Sequence, residues 1–535
     1  MMTNFGYIIN KNNYSINEIN DIKNKLSFKP NDNIAFSNST EYSQVKVSTY
    51  IDDILNNNLI VPKYCYIVPK NIEDENINIK MNDIDIIDVK FSGTLRDYQQ
   101  IIINESKKRY FNVDGQLKKY GSGIICIPPG KGKTTLGLYL TSLIGRKTLI
   151  VVHKTFLMNQ WIERIQQYLP SARIGKIQGD VIDIVDKDIV IGMLQSLCMK
   201  NYDKDIFECF NFTIFDEVHH LGAQIFSKVL HKIQSPFTLG LTATPQRKDG
   251  LQKVFYSFLD SIMYEQKADV DNSVNIKMYK YNISFPDKKY KIYINHFTKQ
   301  YNMAKMITNL SELNIRNDFI IDLITKHIYD DEIPYIYNDK ICIEPINGIN
   351  LFKKYIFEDL KPLSYALKNP NFRKTLILSN RIGQLKELES KLINVNHSWK
   401  KLIGYYIGGM KQHQLKESEN KFVIFATYEM ASEGLDIPNL DTLMLITPKS
   451  DITQSIGRIL RLQKEHRKNI STVYDIVDSM DIYISQGKKR FNEYISKDYY
   501  IQSFNVIDRQ IDEIESIYDK SNHTNNNFIF INESD

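Results

Sequence analysis

The clearest chemistry in the chain lies in residues 127–135, which read IPPGKGKTT. A polyphosphate needs backbone N–H groups converging on a tight concavity, and Gly130 and Gly132 let the loop approach it with no Cβ in the way. Pro129, Lys131 and Thr135 complete that loop. Lys133 is spaced to reach the β- and γ-phosphates, Thr134 offers its hydroxyl to Mg²⁺, and a helix starting near Lys133 adds its positive N-terminal end. The run GIICI at 123–127 supplies the strand that must precede such a loop, although Ile127 stands where the full G-x-x-x-x-G-K-[ST] pattern has glycine. The stretch FTIFDEVHH at 212–220 reads as a buried strand ending in two carboxylates at the ligand edge of a sheet. Asp216 would hold Mg²⁺ and Glu217 would orient or deprotonate the attacking water, or the pair could simply cap a helix. His219 and His220 do not read as a zinc site, because adjacent histidines point different ways and no Cys or His stands at ligand spacing.

In QSIGRILR, residues 454–461, Ile456 and Ile459 join Ile452 on one helical face, while Gln454 and Arg458 fall on another. Arg458 and Arg461, three residues apart on one helix, can reach a single phosphate and would stabilise charge on a transferred γ-phosphoryl group. A solvated basic helix surface is the other reading.

These residues need sheets to position them, and the apolar runs provide two sets. GIICI, TLIVV, DIVIG, FTIFD and TLGLT alternate with helical stretches near 133–143 and 155–168. KTLILS, KLIGYYI, KFVIFAT, DTLMLI and STVYDIV repeat the plan with helices at 381–393 and 451–462. Apolar strands alternating with helices predict an α/β chain of two parallel sheets, each covered on both faces. The expected division is a 1–90 accessory domain, a 91–264 first lobe, a 265–370 linker, a 371–480 second lobe and a 481–535 helical extension with a mobile tail. Within the linker, KKYKIYINHFTKQYNMAKMI is basic and aromatic, fit either to track nucleic acid or to cap the second lobe. Residues 330–370 read as an insertion with its own helix.

The order PPGKGKTT, DEVHH, TATP, ATYEMASEGLDIP, QSIGRILR resembles that of superfamily 2 helicases of the DExH type. LRDYQ, LGLTATPQRKDG, IRNDFI and KTLILSNRIGQLKEL are similar to the XPB-type branch and its relatives in phages and large DNA viruses, including the poxvirus transcript-release helicase. The resemblance spans roughly residues 90 to 500. It implies two RecA-like lobes with ATP and Mg²⁺ between them, a thumb-like segment in the linker, and 3′-to-5′ movement on nucleic acid, DNA in preference to RNA. It further implies that Arg96 and Gln99 contact adenine, and that Gly434 and Asp436 face the nucleotide. Thr242, Thr244 and Arg247 would link hydrolysis to strand movement, while His153, Lys154, Gln195, Ser196 and Thr427 would lie at the nucleic-acid backbone. Arg247, Lys248 and Asp249 stand where this branch often has Arg-Glu-Asp.

Composition agrees with this reading. A chain of 535 residues is too long for one core, and its formal net charge of +5 is compatible with phosphate binding without requiring it. Five scattered cysteines argue for a reducing compartment and against a disulfide framework. With no signal-like start and no apolar run of membrane length, a cytoplasmic site of action, in a host cell or virion if viral, is expected. The abundance of Asn, Ile, Lys and Tyr fits an A+T-rich genome. A transcription or repair partner is plausible on the resemblance. Three alternatives stay open: an RNA helicase, the motor of a restriction system, and a non-catalytic scaffold. No nuclease carboxylate cluster supports the second, and intact Lys133, Asp216, Glu217, Arg458 and Arg461 weigh against the third.

Overall fold

The computed structural model describes residues 2–4, 6–29, 46–65, 86–203, 205–220, 223–244, 250–266, 274–285, 287–295, 299–328, 335–337, 340–342, 373–395, 397, 399–433, 435, 437, 439–460 and 470–518. It forms two compact units, Met1–Ala268 and Asp269–Asp535.

The first unit is built on an eight-stranded sheet: β1 Gly121–Cys126, β2 Thr148–Val152, β3 Ile174–Gln178, β4 Val181–Asp183, β5 Ile189–Met193, β6 Phe212–Phe215, β7 Phe237–Thr242 and β8 Ile262–Glu265. The order is β8-β1-β7-β6-β2-β5-β3-β4, parallel throughout except for the β3–β4 hairpin. Every residue of β1, β2, β5, β6 and β7 is buried, as expected of strands covered on both faces. The loops that follow β1, β7, β6, β2 and β5 therefore leave neighbouring strands at the same end of the sheet.

The N-terminal segment packs on this unit. Gly6–Asn10, Asn58–Pro62 and Ile51–Asp53 form an antiparallel sheet beside a helix, Ile16–Lys25, whose first turn is closed by a Ser15–Glu18 capping box. Ile19, Ile22 and Leu26 bury against Ile9, Leu59 and Val61, while Ile51 and Ile60 reach the main core. Lys63 Nζ donates to Ser235 O at 3.0 Å, and Tyr64 N to Ser257 O at 3.2 Å.

The second unit carries β9 Val274–Asn282, β10 Thr375–Ser379, β11 Ile403–Tyr406, β12 Val423–Thr427, β13 Thr442–Leu445, β14 Ser471–Asp478, β15 Tyr500–Ile507 and β16 Gln510–Tyr518. Their order is β11-β12-β10-β13-β14-β9-β15-β16, with only β15–β16 antiparallel. Two sequence expectations are corrected here. Val274–Asn282, placed in the linker, is an interior strand whose pattern VNIKMYKYN buries Val274, Ile276 and Met278 on one face and Tyr279 and Tyr281 on the other. The extension expected to continue as helix after Asp481–Ser496 instead turns into β15 and β16, where Ile501, Ser503 and Val506 are buried along a strand rich in aromatic and β-branched residues.

Helices Met303–Ser311 and Asn314–Ile328 belong to this unit; Phe319, Ile320 and Ile324 pack with Leu385, Leu388 and Leu392 of the helix Ile382–Val395. The phrase IRND locks that packing. Arg316 donates Nε and Nη2 to Asp478 Oδ1 and Oδ2 at 2.7 and 2.9 Å and Nη1 to Ile446 O at 2.9 Å, with both charged side chains fully buried. Asn317 donates to Ser311 O and accepts from Gln384 Nε2, and Ser379 donates in turn to Gln384 Oε1. Within the 330–370 insertion, Tyr335–Tyr337 pairs antiparallel with Lys340–Cys342, while the expected helix lies outside the described residues, as does 519–527 of the expected mobile tail. Among the described residues, no helix is long and apolar enough to cross a membrane.

Candidate active site

The loop after β1 turns through left-handed backbone at Gly130 (φ 79°) and Gly132 (φ 83°), then enters the helix Lys133–Ile144 with Gly132 as its N-cap. That conformation costs an L-residue about 1–2 kcal/mol. A Cβ on Gly132 would also sit 2.4 Å from Gln99 Nε2, so a larger residue would add displacement of that side-chain end to the cost of the positive φ. Gln99 is 5% exposed and acts as a brace: Oε1 accepts from Arg96 N at 3.0 Å, and Nε2 donates to Lys131 O at 3.2 Å. Tyr98 Oη donates to the same Lys131 carbonyl at 3.2 Å, and Arg96 Nη1 donates to Tyr98 Oη at 3.3 Å. The segment around Arg96 and Gln99 thus fixes the loop from behind. Pro129, Lys131, Thr134 and Thr135 are half-buried around the concavity and Gly130 is exposed.

Lys133 Nζ lies 3.0 Å from Glu217 Oε1, joining the loop after β1 to the one after β6. Glu217 itself adopts left-handed backbone, φ 50°, a strained state for a residue with a Cβ and the kind of outlier that gathers at functional sites. Its neighbour Asp216 is 6% exposed and accepts a hydrogen bond from Trp161 Nε1 at 2.8 Å. Burial, and after it the adjacent Glu217 charge, pushes the Asp216 carboxyl up to about 6, against the counter-pull of Trp161, Lys133 and His153.

His219 connects this pair to the next strand. Its Nδ1 is 3.4 Å from Glu217 Oε2 and 2.7 Å from Thr242 Oγ1. Thr242 donates its hydroxyl proton to Thr244 O at 2.7 Å and accepts from Thr244 N at 3.2 Å, which leaves His219 Nδ1 as the donor to Thr242 Oγ1, with Glu217 Oε2 close by but not hydrogen-bonded to it. A continuous path therefore runs from Lys133 through Glu217, His219 and Thr242 to Thr244.

At the far end of the same edge, Gln195 Nε2 donates to His153 O at 2.7 Å, and Ser196 Oγ accepts from Gly179 N at 2.9 Å. Lys154 caps the helix Thr155–Tyr168 through its backbone. In the second unit, Thr427 ends β12, half-buried, and Arg458 is 7% exposed with Nη1 donating to Leu435 O at 2.9 Å. Gln454 lies on the helix Thr453–Ile459; its side chain, and Arg247, Gly434, Asp436 and Arg461, fall outside the described residues.

Sequence reasoning misses three contributors. Trp161 stands in no motif of the sequence, and Tyr98 stands in LRDYQ with no role of its own. His219 draws notice only as a metal ligand; its spacing from Glu217 is the available signal for a polar link. The cradle that only glycine fits, the helix N-terminus, Lys133 and a buried carboxylate one strand away suit a nucleoside triphosphate with a divalent cation.

Two parallel-sheet units, the first carrying this site, define a nucleotide-hydrolysing motor of the two-lobe class. A family described as "Type III restriction enzyme, res subunit" matches residues 92–247, and "Helicase conserved C-terminal domain" matches 357–463. The chain is 33% identical over 508 residues to "Putative ATP-dependent RNA helicase L396" of Acanthamoeba polyphaga mimivirus, covering 94% of this chain and 87% of that protein. It is 27% identical over 420 residues to "DNA 3'-5' translocase XPB2" of Sulfurisphaera tokodaii, covering 74% and 85%. With "Putative ATP-dependent RNA helicase QP509L" of African swine fever virus it shares 24% identity over 412 residues, 76% of this chain and 73% of that one. The chain belongs to the superfamily 2 helicases. It is an ATP-dependent, nucleic-acid-binding helicase whose ATPase depends on nucleic acid.

Proposed function

We propose that the chain is a DNA translocase moving 3′-to-5′, and that strand separation or displacement of a nascent transcript follows when its path is blocked. The observation that carries this reading is similarity across 74% of the chain to a protein named as a DNA 3′-5′ translocase. The pathway is transcription, as transcript release, or DNA repair, inside a cell or virion. The parts are an accessory segment 1–90, an ATP-binding lobe 91–264 and a second lobe 371–480, whose sheet also takes Val274–Asn282 from the 265–370 segment and Tyr500–Ile507 and Gln510–Tyr518 from the 481–535 extension.

In this reading Thr134 and Asp216 hold Mg²⁺, which when bound supplies charge neutralisation at the β- and γ-oxygens. Gly130 to Thr135 cradle the phosphates, Lys133 leaves Glu217 to reach them, and Glu217 is freed to orient or deprotonate the attacking water. Arg458 and Arg461 stabilise charge on the transferred phosphoryl group, with Gln454 beside them. Arg96 and Gln99 border the adenine, and Gly434 and Asp436 the nucleotide. The link from Glu217 through His219 to Thr242 and Thr244 reports the state of the phosphate site to the next strand, and Arg247 is assigned to the same coupling role. His153, Lys154, Gln195, Ser196 and Thr427 hold the nucleic-acid backbone.

A second reading, an RNA helicase, is favoured by the name of the mimivirus relative. Steady-state ATPase with no nucleic acid, single-stranded DNA, duplex DNA and single-stranded RNA separates the two, with Lys133→Ala and Glu217→Gln as controls. Stimulation by DNA and not RNA, abolished in both controls, is expected. Equal or greater stimulation by RNA would replace the DNA reading with the second one.

A further inference from the structure

Asp216 is the residue best placed to hold a divalent cation, and its surroundings contain a group no motif points to. Trp161 lies two turns into the helix Thr155–Tyr168 and is 1% exposed. Its ring edge packs against the phosphate-loop helix, where a Cβ on Gly137 would come within 3.3 Å of Cη2, and the same position faces Ile214 Cδ1 at 3.5 Å. The indole is thus wedged between the helix that begins at Lys133 and the strand that leads into Asp216. Its single polar atom, Nε1, donates to Asp216 Oδ2 at 2.8 Å.

We infer that Trp161 is a positioning residue for the divalent cation: its N–H occupies Asp216 Oδ2 and turns Oδ1 alone toward the metal. The inference rests on the reading of Asp216 as the metal-holding carboxylate. An ionised carboxylate has two equivalent oxygens and rotates freely about its last bond unless something holds one of them. A buried indole can donate only one hydrogen bond in one direction, so it fixes both the rotation and the choice of oxygen. Donors that orient a ligand from outside the coordination sphere are worth about 10–100-fold in metal affinity. Trp161 is clamped by apolar packing on its other edges, so it cannot follow the carboxylate if that group swings. It is the fixed reference against which Asp216 is set, and neither phenylalanine nor tyrosine can replace it, since neither presents an N–H at that point.

The test separates the N–H from the ring. Trp161→Phe removes both donor and volume. Replacement of Trp161 by β-(3-benzothienyl)alanine keeps the shape of the indole and removes only the donor. Mn²⁺ binding is measured by electron paramagnetic resonance of the free ion, at saturating ADP, with the full-length protein. ADP affinity is measured separately in EDTA, and thermal unfolding without metal or nucleotide. The benzothienyl variant is expected to bind Mn²⁺ about tenfold more weakly, to bind ADP in EDTA as the unaltered protein does, and to unfold at nearly the same temperature. Mn²⁺ affinity within about twofold of the unaltered protein would overturn the inference and leave Trp161 as core packing, whatever the phenylalanine variant does. Asp216→Asn is the control on the underlying reading. If it retains Mn²⁺ affinity, the assignment of Asp216 to the metal fails first, a result distinct from an Asp216-dependent site that ignores the indole donor.

Discussion

A carboxylate held for catalysis in a dry position should weaken the fold that holds it, and Asp216 allows that cost to be worked out. Burial pushes its carboxyl from an ordinary 3.8 up to about 6. Each tenfold change in proton affinity corresponds to about 1.4 kcal/mol, so keeping Asp216 ionised at pH 7.5 destabilises the metal-free first unit by about 3 kcal/mol. The sign follows from proton uptake: the folded chain binds the proton more tightly than the unfolded one, so metal-free stability rises as the pH falls from above 6 toward 4. Asp216→Asn keeps an oxygen for Trp161 Nε1 and removes the charge. It should therefore stabilise the metal-free protein by up to about 3 kcal/mol at pH 7.5, or about 6–12 °C in the unfolding midpoint of a domain this size. That gain should shrink below pH 6, to about 1 kcal/mol at pH 4.5, and vanish only below about pH 3, where the carboxyl of the unfolded chain is protonated too.

The assay is denaturant and thermal unfolding in EDTA at pH 7.5 and pH 4.5, followed by fluorescence. Trp161 and Trp399, the two tryptophans of the chain, lie in different units and report each separately. ATPase should be abolished in the same variant. If Asp216→Asn is no more stable than the native chain at pH 7.5, or if its advantage is undiminished at pH 4.5, the reasoning fails: either the carboxyl is not ionised at a cost, or the asparagine loses the indole contact.

Other predictions rest on single contacts. Arg316→Met strands the buried Asp478 carboxylate and should cost the second unit about 3–5 kcal/mol in urea unfolding, most of it recovered by adding Asp478→Leu. Gly132→Ala drives a Cβ into Gln99 Nε2 and should raise the KM for ATP at least about tenfold; adding Gln99→Ala relieves the clash but leaves the roughly 1 kcal/mol cost of a positive φ. His219→Ala removes the donor to Thr242 Oγ1 beside Glu217, and should lower nucleic-acid-stimulated kcat about 2–10-fold, the equivalent of a hydrogen bond between neutral groups, with ADP affinity unchanged.

What can be read in the sequence is what is local in the chain. The phosphate loop occupies consecutive residues, and glycine, lysine and threonine types there state their own geometry. The carboxylate pair sits at the end of an apolar run, and such runs mark buried parallel strands wherever they occur, so both sheets are legible. Contacts set by strand order are not. Thr242 meets His219 because β7 lies beside β6, and Trp161 meets Asp216 from a helix fifty-five residues earlier in the chain. Neither partner carries a sign of the other in its own neighbourhood, and a tryptophan on an amphipathic helix looks the same whether its N–H holds a catalytic carboxylate or a backbone carbonyl. The same cause hides β9: it is separated from β10 by more than ninety residues and finds its place between β14 and β15, the latter itself expected as helix. The buried Arg316–Asp478 pair shows where such a placement can be encoded. It ties the helix Asn314–Ile328 to the end of β14, so the arginine of IRND acts as a sequence-distant address for that helix on the second sheet. A chain with Arg316→Met and Asp478→Leu would retain the packing volume and lose the address. If hydrogen exchange then shows β9 and Asn314–Ile328 as protected as in the native chain, apolar packing alone specifies the placement; selective loss of protection there would assign it to the buried pair.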